Sequence, residues 1–501
     1  MKKPASHTNL PDAADPVVWI GHVATYDPDR IWLTDSQDHS YADLDQKMRE
    51  MAARLLAMGV KAGDRVAVQV EKSREALELY YGCLWLGAIY MPLNSGYTDA
   101  EIAWFLADAE PALFVVDPGS HHLGRDVRVC TLADIITKPA ATLGERRLFD
   151  ANTQAAMLYT SGTTGKPKGA MLTRGNLASS AATLAKAWCF TPEDILIHAL
   201  PIFHVHGLFV ATNTVLAAGA SMLFLDKFDS DRVIDGFGRG TVLMGVPTFY
   251  TRLLANPRLT PDACRSMRLF VSGSAPLLAE THREFATRTG QAILERYGMT
   301  ETMMNTSNPY HGVRVPGTVG PPLPGVSLRV TDAESGALLP QGEIGMIEVK
   351  GPNLFKGYWR NPEKTAAEHR ADGYFITGDL GKIDEAGYVH IIGRGKDLII
   401  SGGLNIYPKE VEDALDALPG VLESAVVGVP DRDFGEAVTA IVVAQSGVAL
   451  DEADLRAALS QNLARFKLPK SIHFVGELPR NTMGKVQKAV LREQYRSASG
   501  D

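Results

Sequence analysis

Apolar positions along the chain recur with two periods that take turns. From Ser40, the stretch SYADLDQKMREMAARLLAMG sets Leu44, Met48, Met51 and Leu55 at helical spacing behind a hydroxyl suited to an N-cap, and it closes on Gly59. RVAVQV (65–70) then reads as a strand, Ser73–Leu86 as a helix and Leu113–Val116 as a strand. The alternation continues through ILIHALP (195–201), SMLFLD (221–226), TVLMGVP (241–247), MRLFVSG (267–273) and QAILERYG (291–298). Several of these runs are apolar on both faces, as strands of largely parallel sheets are when helices cover them. The pattern predicts an α/β fold.

Beyond about residue 315 the texture changes. VSLRVTD, GEIGMIEVKG and GYVHIIG are short alternating runs set apart by Gly and Pro, and they predict a small antiparallel β region. From Lys396 the pattern becomes α+β: helices over Lys409–Leu418 and Glu452–Phe466, and strands over Glu423–Val429, Ala437–Val443 and Ile472–Val475. No repeat and no Ser/Gly-rich linker interrupts the chain. The expected boundary is a short hinge at Arg394–Asp397, dividing residues 1–395 from 396–501.

Length and composition add limits. A chain of 501 residues exceeds what one hydrophobic core supports, so two or more domains are expected. A net charge of −8 without any basic tract argues against nucleic acid as a partner. Cys83, Cys130, Cys189 and Cys264 are widely spaced, with no metal-binding spacing, as in a reducing compartment. The first sixteen residues contain no apolar run, and no segment is long enough to span a membrane; a cytoplasmic location is expected.

Four polar words carry the candidate chemistry. TSGTTGKPKG (160–169) follows an apolar run and combines glycines, hydroxyls and lysines, a composition that suits the phosphates of a nucleotide. It is not a Walker loop: only two residues separate Gly162 from Gly165, and Pro167 follows Lys166. In YGMTE (297–301), Thr300 and Glu301 set a hydroxyl beside a carboxylate at a strand end, a pair able to ligate magnesium or to cap a following helix. TGDL (377–380) and GRGKD (393–397) place Asp379 and Arg394 in glycine turns, either as ribose ligands or as structural turns. PRNTMGK (479–485) sets Lys485 on a turn near the C-terminus, which by itself is an ordinary surface charge.

In this order and wording the four segments resemble the adenylate-forming superfamily, in which acyl-CoA synthetases, adenylation domains and luciferase-like enzymes share one fold. The resemblance runs from about residue 20 to residue 495. It implies a large N-terminal domain with two α/β sheets and a small β subdomain, followed by a small mobile C-terminal α+β domain. It also implies two half-reactions: a carboxylate attacks the α-phosphorus of Mg·ATP, and a thiol, that of coenzyme A, then displaces AMP. On this resemblance Thr160, Ser161, Gly162, Thr163, Thr164, Gly165, Lys166 and Lys168 hold the β- and γ-phosphates. Thr300 contacts the α-phosphate and Glu301 the magnesium ion. Ser274, Ala275 and Pro276 line the adenine slot together with Glu295, Arg296 and Tyr297, and Asp379 and Arg394 bind the ribose. Lys485 serves adenylation, Lys396 is the hinge, and Ser401, Gly402 and Gly403 border the coenzyme A tunnel.

The acyl pocket is read from HALPIFHVHGLFVATN, VLMGVPTFYTRLL, LFVSGSAPL and GMTETMMNTSNPY, which are similar to the malonyl-CoA synthetases. This likeness implies that His206 gates the carboxylate and that Val205 and Met303 line the pocket. A dicarboxylate needs a cation for its far carboxylate; Arg283 is the candidate, with Arg252 in reserve. Val205 is apolar where a small polar residue would also fit, so methylmalonate joins malonate as an expected substrate. A fatty acyl-CoA synthetase for short or medium chains is the alternative. No carrier-protein domain follows Lys485 in this chain.

Overall fold

The computed structural model describes residues 15–119, 127–160, 167–401, 404–431, 434–481 and 484–496. Its α/β architecture is the predicted one, with large multi-sheet N-terminal and smaller C-terminal regions. One sheet orders its strands Gly357–Tyr358, Lys168–Thr173, Gln154–Thr160, Ile89–Pro92, Arg65–Gln69, Leu113–Val116 and Val129–Thr131. A second runs Met303–Ser307, Ile293–Met299, Leu269–Ser272, Val242–Gly245, Ile195–His198, Ser221–Phe224, Ile31–Thr34 and Asp38–Ser40. The central strands of both are parallel; the second sheet is antiparallel at both ends, and the first only at its Gly357–Tyr358 end.

Local chemistry explains where these elements start. Ser40 and Asp43 form a reciprocal capping box at the helix Tyr41–Ala57, whose buried residues include Leu44, Met48, Met51 and Leu55. Ser73 caps Arg74–Leu86, which ends on left-handed Gly87. Ala67, Met91, Phe114 and Met157 bring four neighbouring strands of the first sheet into one core with Phe105 and Leu106.

Contacts divide the chain into two compact units, 1–327 with 349–375, and 328–348 with 376–501. The small antiparallel sheet (Ser327–Thr331, Gly345–Lys350, Phe375–Ile383, Val389–Arg394) therefore falls mainly with the C-terminal residues. Lys396 lies inside the second unit, exposed on a single 3₁₀ turn, Gly395–Asp397. In that unit the long strands Val421–Asp431 and Gly435–Ala444 bury both faces. Val426, Val438, Ala440 and Val442 pack with Val411, Leu415, Leu455 and Leu459, and Val427, Val429 and Ile441 pack with Leu478 and Leu491. The helix expected over Glu452–Phe466 stops at Leu459. Ser460 and Asn462 favour leaving the helix, and the turn lets Leu463 and Leu468 return to the core.

Candidate active site

The phosphate-loop word joins two paired strands: Thr160 ends one, Lys168 begins the other, and the two are cross-strand partners. Ser161, Gly162, Thr163, Thr164, Gly165 and Lys166 lie outside the described residues. Thr160 Oγ1 donates to Glu301 Oε1 at 3.2 Å, which brings the first two sequence words together.

Glu301 is buried in the Thr300–Thr302 turn between the antiparallel strands Ile293–Met299 and Met303–Ser307. No helix follows it, so helix capping is ruled out as its role. Tightness makes this turn. A Cβ on Gly298 would lie 1.9 Å from the Met303 carbonyl oxygen, and Met303 itself holds φ +50°. Asn353 clamps the turn from a neighbouring segment, donating to the carbonyls of Thr302 at 2.6 Å and Met304 at 3.1 Å.

Two residues at this site escaped the sequence reading. The Tyr358 hydroxyl lies 3.1 Å from Glu301 Oε1 and 2.7 Å from Glu368 Oε2, and with one proton it donates to one carboxylate at a time. Burial and the adjacent carboxylates raise the Tyr358 pKa, so the phenol keeps that proton. Burial works against ionisation of Glu368, but Lys364, Tyr358 and Lys168 outweigh it and hold the carboxyl below its usual range. Lys168 Nζ sits 3.5 Å from Glu368 Oε1 and 4.9 Å from the centre of the Tyr358 ring. No local pattern in GYW or AAEH announces this network, because it exists only across strands and a neighbouring helix.

The oxygens suit magnesium. Glu301 is a hard, buried carboxylate with hydroxyls on either side, and no cluster of three or more His, Cys, Asp or Glu ligands occurs among the described residues. A site of that kind fits a cation that completes its shell from phosphates and water rather than from a protein cage.

The strand QAILERYG shows its alternation clearly. Glu295 and Arg296, expected to line one slot, serve opposite sides of the strand. Glu295 Oε1 takes His282 Nδ1 at 3.1 Å and the Gly317 N–H at 3.2 Å, tying three segments together. The Arg296 guanidinium instead packs on Gly273, where a Cβ would lie 2.3 Å from Cζ. Arg296 is buried, and among the described residues its Nε and Nη2 have no hydrogen-bond partner. Burial lowers its pKa to about 10, so the guanidinium stays charged at neutral pH, with no ion pair among the described residues.

Beside it stands His206, also buried, at the head of the π-helical turn His206–Ala211. Its Nδ1 is 3.1 Å from Ser274 Oγ, and its Nε2 has no partner among the described residues. Burial, then Arg296, His198 and His204, depress its pKa well below the usual value, so the ring is neutral. Ser274 adopts φ +72°, a strained conformation for a residue with a side chain, while Ala275 is half-buried and Pro276 exposed in the same loop. Val205 and Met303 are buried. The expectation for Arg283 is corrected: it lies exposed on the helix Ala279–Thr289, whose inward face is Thr281, His282 and Phe285. Arg252 is exposed on Pro247–Leu254. Arg296 is the buried cation, and the strand's period of two was the signal that could have separated it from Glu295.

In the second unit, Asp379 and Arg394 are cross-strand partners, with Asp379 Oδ1 3.1 Å from Arg394 Nε. Gly378, at φ +76°, gives the backbone its turn immediately before Asp379. Ser401 ends a short strand opposite Gly435; Gly402 and Gly403 lie outside the described residues. Lys485 is exposed on a turn closed by two bonds, its N–H to Asn481 Oδ1 at 3.0 Å and the Asn481 N–H to its carbonyl at 2.9 Å. No helix of the described residues is long and apolar enough to cross a membrane.

Comparison with known proteins agrees with this layout. Residues 21–359 match the model of the AMP-binding enzymes, and residues 410–485 match the AMP-binding enzyme C-terminal domain. The chain resembles the ATP-bound crystal structure of MatB from Rhodopseudomonas palustris at TM-score 0.93 and 56% identity, covering 97% of this chain and 99% of that one. A malonate–CoA ligase of Arabidopsis thaliana is 35% identical over 87% of this chain and 78% of its own length. A feruloyl-CoA synthase of Amycolatopsis is also 35% identical, over 91% of this chain and 94% of its own. Overall identity to these two relatives does not distinguish their acids.

Proposed function

The chain belongs to the AMP-binding enzyme family and is an AMP-forming acyl-CoA synthetase; from that premise we propose that its acid is malonate, with methylmalonate as a second substrate. One observation carries the choice of acid. His206 Nε2 and the Nε and Nη2 of Arg296 are buried neighbours without partners among the described residues. A short dicarboxylate would answer both, one carboxylate near His206 and Ser274 and the other on Arg296, whereas a fatty acid would leave the guanidinium buried beside an alkyl chain. The relatives that act on malonate support this reading.

In the first half-reaction, a malonate carboxylate oxygen attacks the α-phosphorus of ATP. The bond to the bridging oxygen breaks, and pyrophosphate leaves with the electron pair. Thr160 and Lys168, with residues 161–166, hold the departing phosphates, and Thr300 faces the α-phosphate. Glu301, positioned by Thr160 and Tyr358, holds the magnesium ion, which neutralises phosphate charge when bound. Neutral His206 lets the carboxylate approach without pairing it too tightly. Asp379 and Arg394 take the ribose, and Lys485 supplies a cation for adenylation. In the second half-reaction the thiol of coenzyme A attacks the acyl carbon and AMP leaves; Ser401, Gly402 and Gly403 border the thiol's path, and Lys396 is the hinge between the two states. The setting is cytoplasmic.

The test is a panel of C2–C8 mono- and dicarboxylates under Mg·ATP, following pyrophosphate release and coenzyme A consumption. Malonate is expected to give the highest kcat/KM, with methylmalonate next and butyrate at least about 30-fold lower, the worth of one buried charge pair. Equal turnover of butyrate would remove malonate as the acid. AMP formation without coenzyme A consumption would remove the ligase step.

A further inference from the structure

Beneath the π-helical turn that begins at His206 lies a buried polar chain that the proposed chemistry does not use. Lys72 follows the strand Arg65–Gln69 of the first sheet and reaches the second. The residue as a whole is only partly buried, but its ammonium group is enclosed. Lys72 Nζ lies 2.8 Å from His198 Nδ1, 2.8 Å from the His198 carbonyl and 2.5 Å from the Leu225 carbonyl, with the Phe224 ring centre 4.2 Å away. An ammonium has three N–H groups, and here three acceptors meet them. Burial pulls its pKa down and Arg232 adds to that, while Asp226 acts in the opposite direction.

Two contacts together set the state of His198. The Gly207 carbonyl only accepts, so the ring proton sits on Nε2, and the bare Nδ1 accepts from Lys72. His198 Nε2 then donates to the Gly207 carbonyl at 2.8 Å. Burial first, and Lys72 second, hold the His198 pKa well below its usual value, so the ring stays in this neutral form. Gly207 is the residue after His206, and the turn around it is tight. A Cβ there would lie 2.0 Å from the Pro201 carbonyl oxygen, and the Leu208 N–H bonds the His204 carbonyl at 2.9 Å. The backbone that carries His206 is thus pinned by one hydrogen bond whose donor exists only in one histidine tautomer.

We propose that Lys72 is a positioning residue for the acyl pocket: by bonding the bare Nδ1 it holds the His198 ring with its Nε2–H on the Gly207 carbonyl and so sets His206 toward the substrate carboxylate. This rests on the acyl-CoA synthetase reading above. It adds that the precision of the carboxylate site originates on the other sheet, at a residue that never touches substrate. Lys72 therefore acts on carboxylate binding and leaves nucleotide binding alone.

The experiment pairs a spectroscopic readout with kinetics. Protein labelled with ¹⁵N-histidine, with His198 assigned from the His198→Gln spectrum, is expected to show a single neutral Nε2–H tautomer at pH 7. Lys72→Met is expected to mix the tautomers and to raise the KM for malonate about tenfold, the cost of one lost buried hydrogen bond, with the KM for ATP within about twofold. His198→Gln keeps an ε-amide donor for Gly207 whatever stands at position 72. Adding Lys72→Met to that background should cost less than about threefold, by double-mutant-cycle logic. An unchanged tautomer in Lys72→Met, or the same tenfold loss in both backgrounds, overturns the proposal. Should Lys72→Met not fold, His198→Asn carries the same expectation, because it keeps an acceptor for Lys72 and removes the donor to Gly207; an unaltered malonate KM would then overturn it. If the wild type rejects malonate, that failure belongs to the substrate reading: the tautomer measurement stands, and the kinetic arm is run with the acid the wild type does use.

Discussion

Two arginines separate residue chemistry from residue placement. Both Arg283 and Arg296 belong to the first unit and were expected at the site, and both offer a guanidinium. Arg283 faces solvent from a helix, and Arg296 is buried against Gly273 with two nitrogens unpaired among the described residues. A charge held without a counter-ion is a standing cost that a bound anion relieves, so function and stability should pull in opposite directions here. Arg296→Met is expected to raise the malonate KM by about 30-fold or more, because a buried charge pair is lost. The same change should leave the thermal midpoint of the unliganded protein equal or higher. Arg283→Ala should move neither. Steady-state kinetics with malonate and butyrate, beside a melting curve, check all three, and a malonate loss from Arg283→Ala would return that residue to the pocket.

Among elements, the hairpin Ile293–Met299 with Met303–Ser307 carries most of the proposed chemistry. Its first strand contributes Glu295 to a structural tie and Arg296 to the proposed acyl pocket, and its turn contains Thr300 and Glu301. Period-two alternation accounts for the division of labour, and glycine accounts for the turn. With the Met303 carbonyl oxygen 1.9 Å from where a Cβ would sit, Gly298→Ala must push the two strands apart. We expect a loss of about 1–3 kcal/mol in stability, the usual cost of overpacking. The loss of pyrophosphate release should be larger than that stability cost explains, because Glu301 moves with the turn. Urea unfolding and pyrophosphate release on the same preparation decide it, and full activity at lowered stability would mean that the turn tolerates the shift. The helix Glu452–Leu459 gives a second element-scale lesson: apolar spacing continues past it in the sequence, but the chain turns out of the helix to bring Leu463 and Leu468 home.

At the scale of the molecule, the residues of the proposed reaction are shared between two compact units. Thr160, Lys168, His206, Arg296, Glu301 and Tyr358 belong to the first, and Asp379, Arg394, Ser401 and Lys485 to the second. Such sharing suits a reaction in two halves that need different groups. Lys485→Ala is expected to lower adenylate formation by about 100-fold or more, as removal of a positioned cation does. Thioester formation from supplied malonyl-adenylate should remain. Single-turnover assays of each half-reaction check this, and loss of both would contradict a role confined to adenylation.

Much of this protein was legible before any coordinates. Local periodicity predicted the order of strands and helices, since burial on one or two faces writes itself directly into neighbouring positions. The composition of the polar words suited the phosphates of a nucleotide, and the acyl-transfer chemistry followed from their resemblance to the adenylate-forming superfamily. What the sequence could not state was which words meet. Thr160 and Glu301 bond across a separation of 141 positions, and Tyr358 and Glu368 join them from a strand and a helix end with no signal of their own. Likewise, Lys72 reaches His198 across 126 positions to act on a third segment. Such contacts depend on how sheets and helices pack, a property of the whole chain that no short window contains. The sequence by itself determined the elements and the type of chemistry; the tertiary structure alone decided which arginine is buried, which tyrosine serves the carboxylate and how the small sheet is grouped, because only packing removes water from one copy of a residue type and leaves it on another.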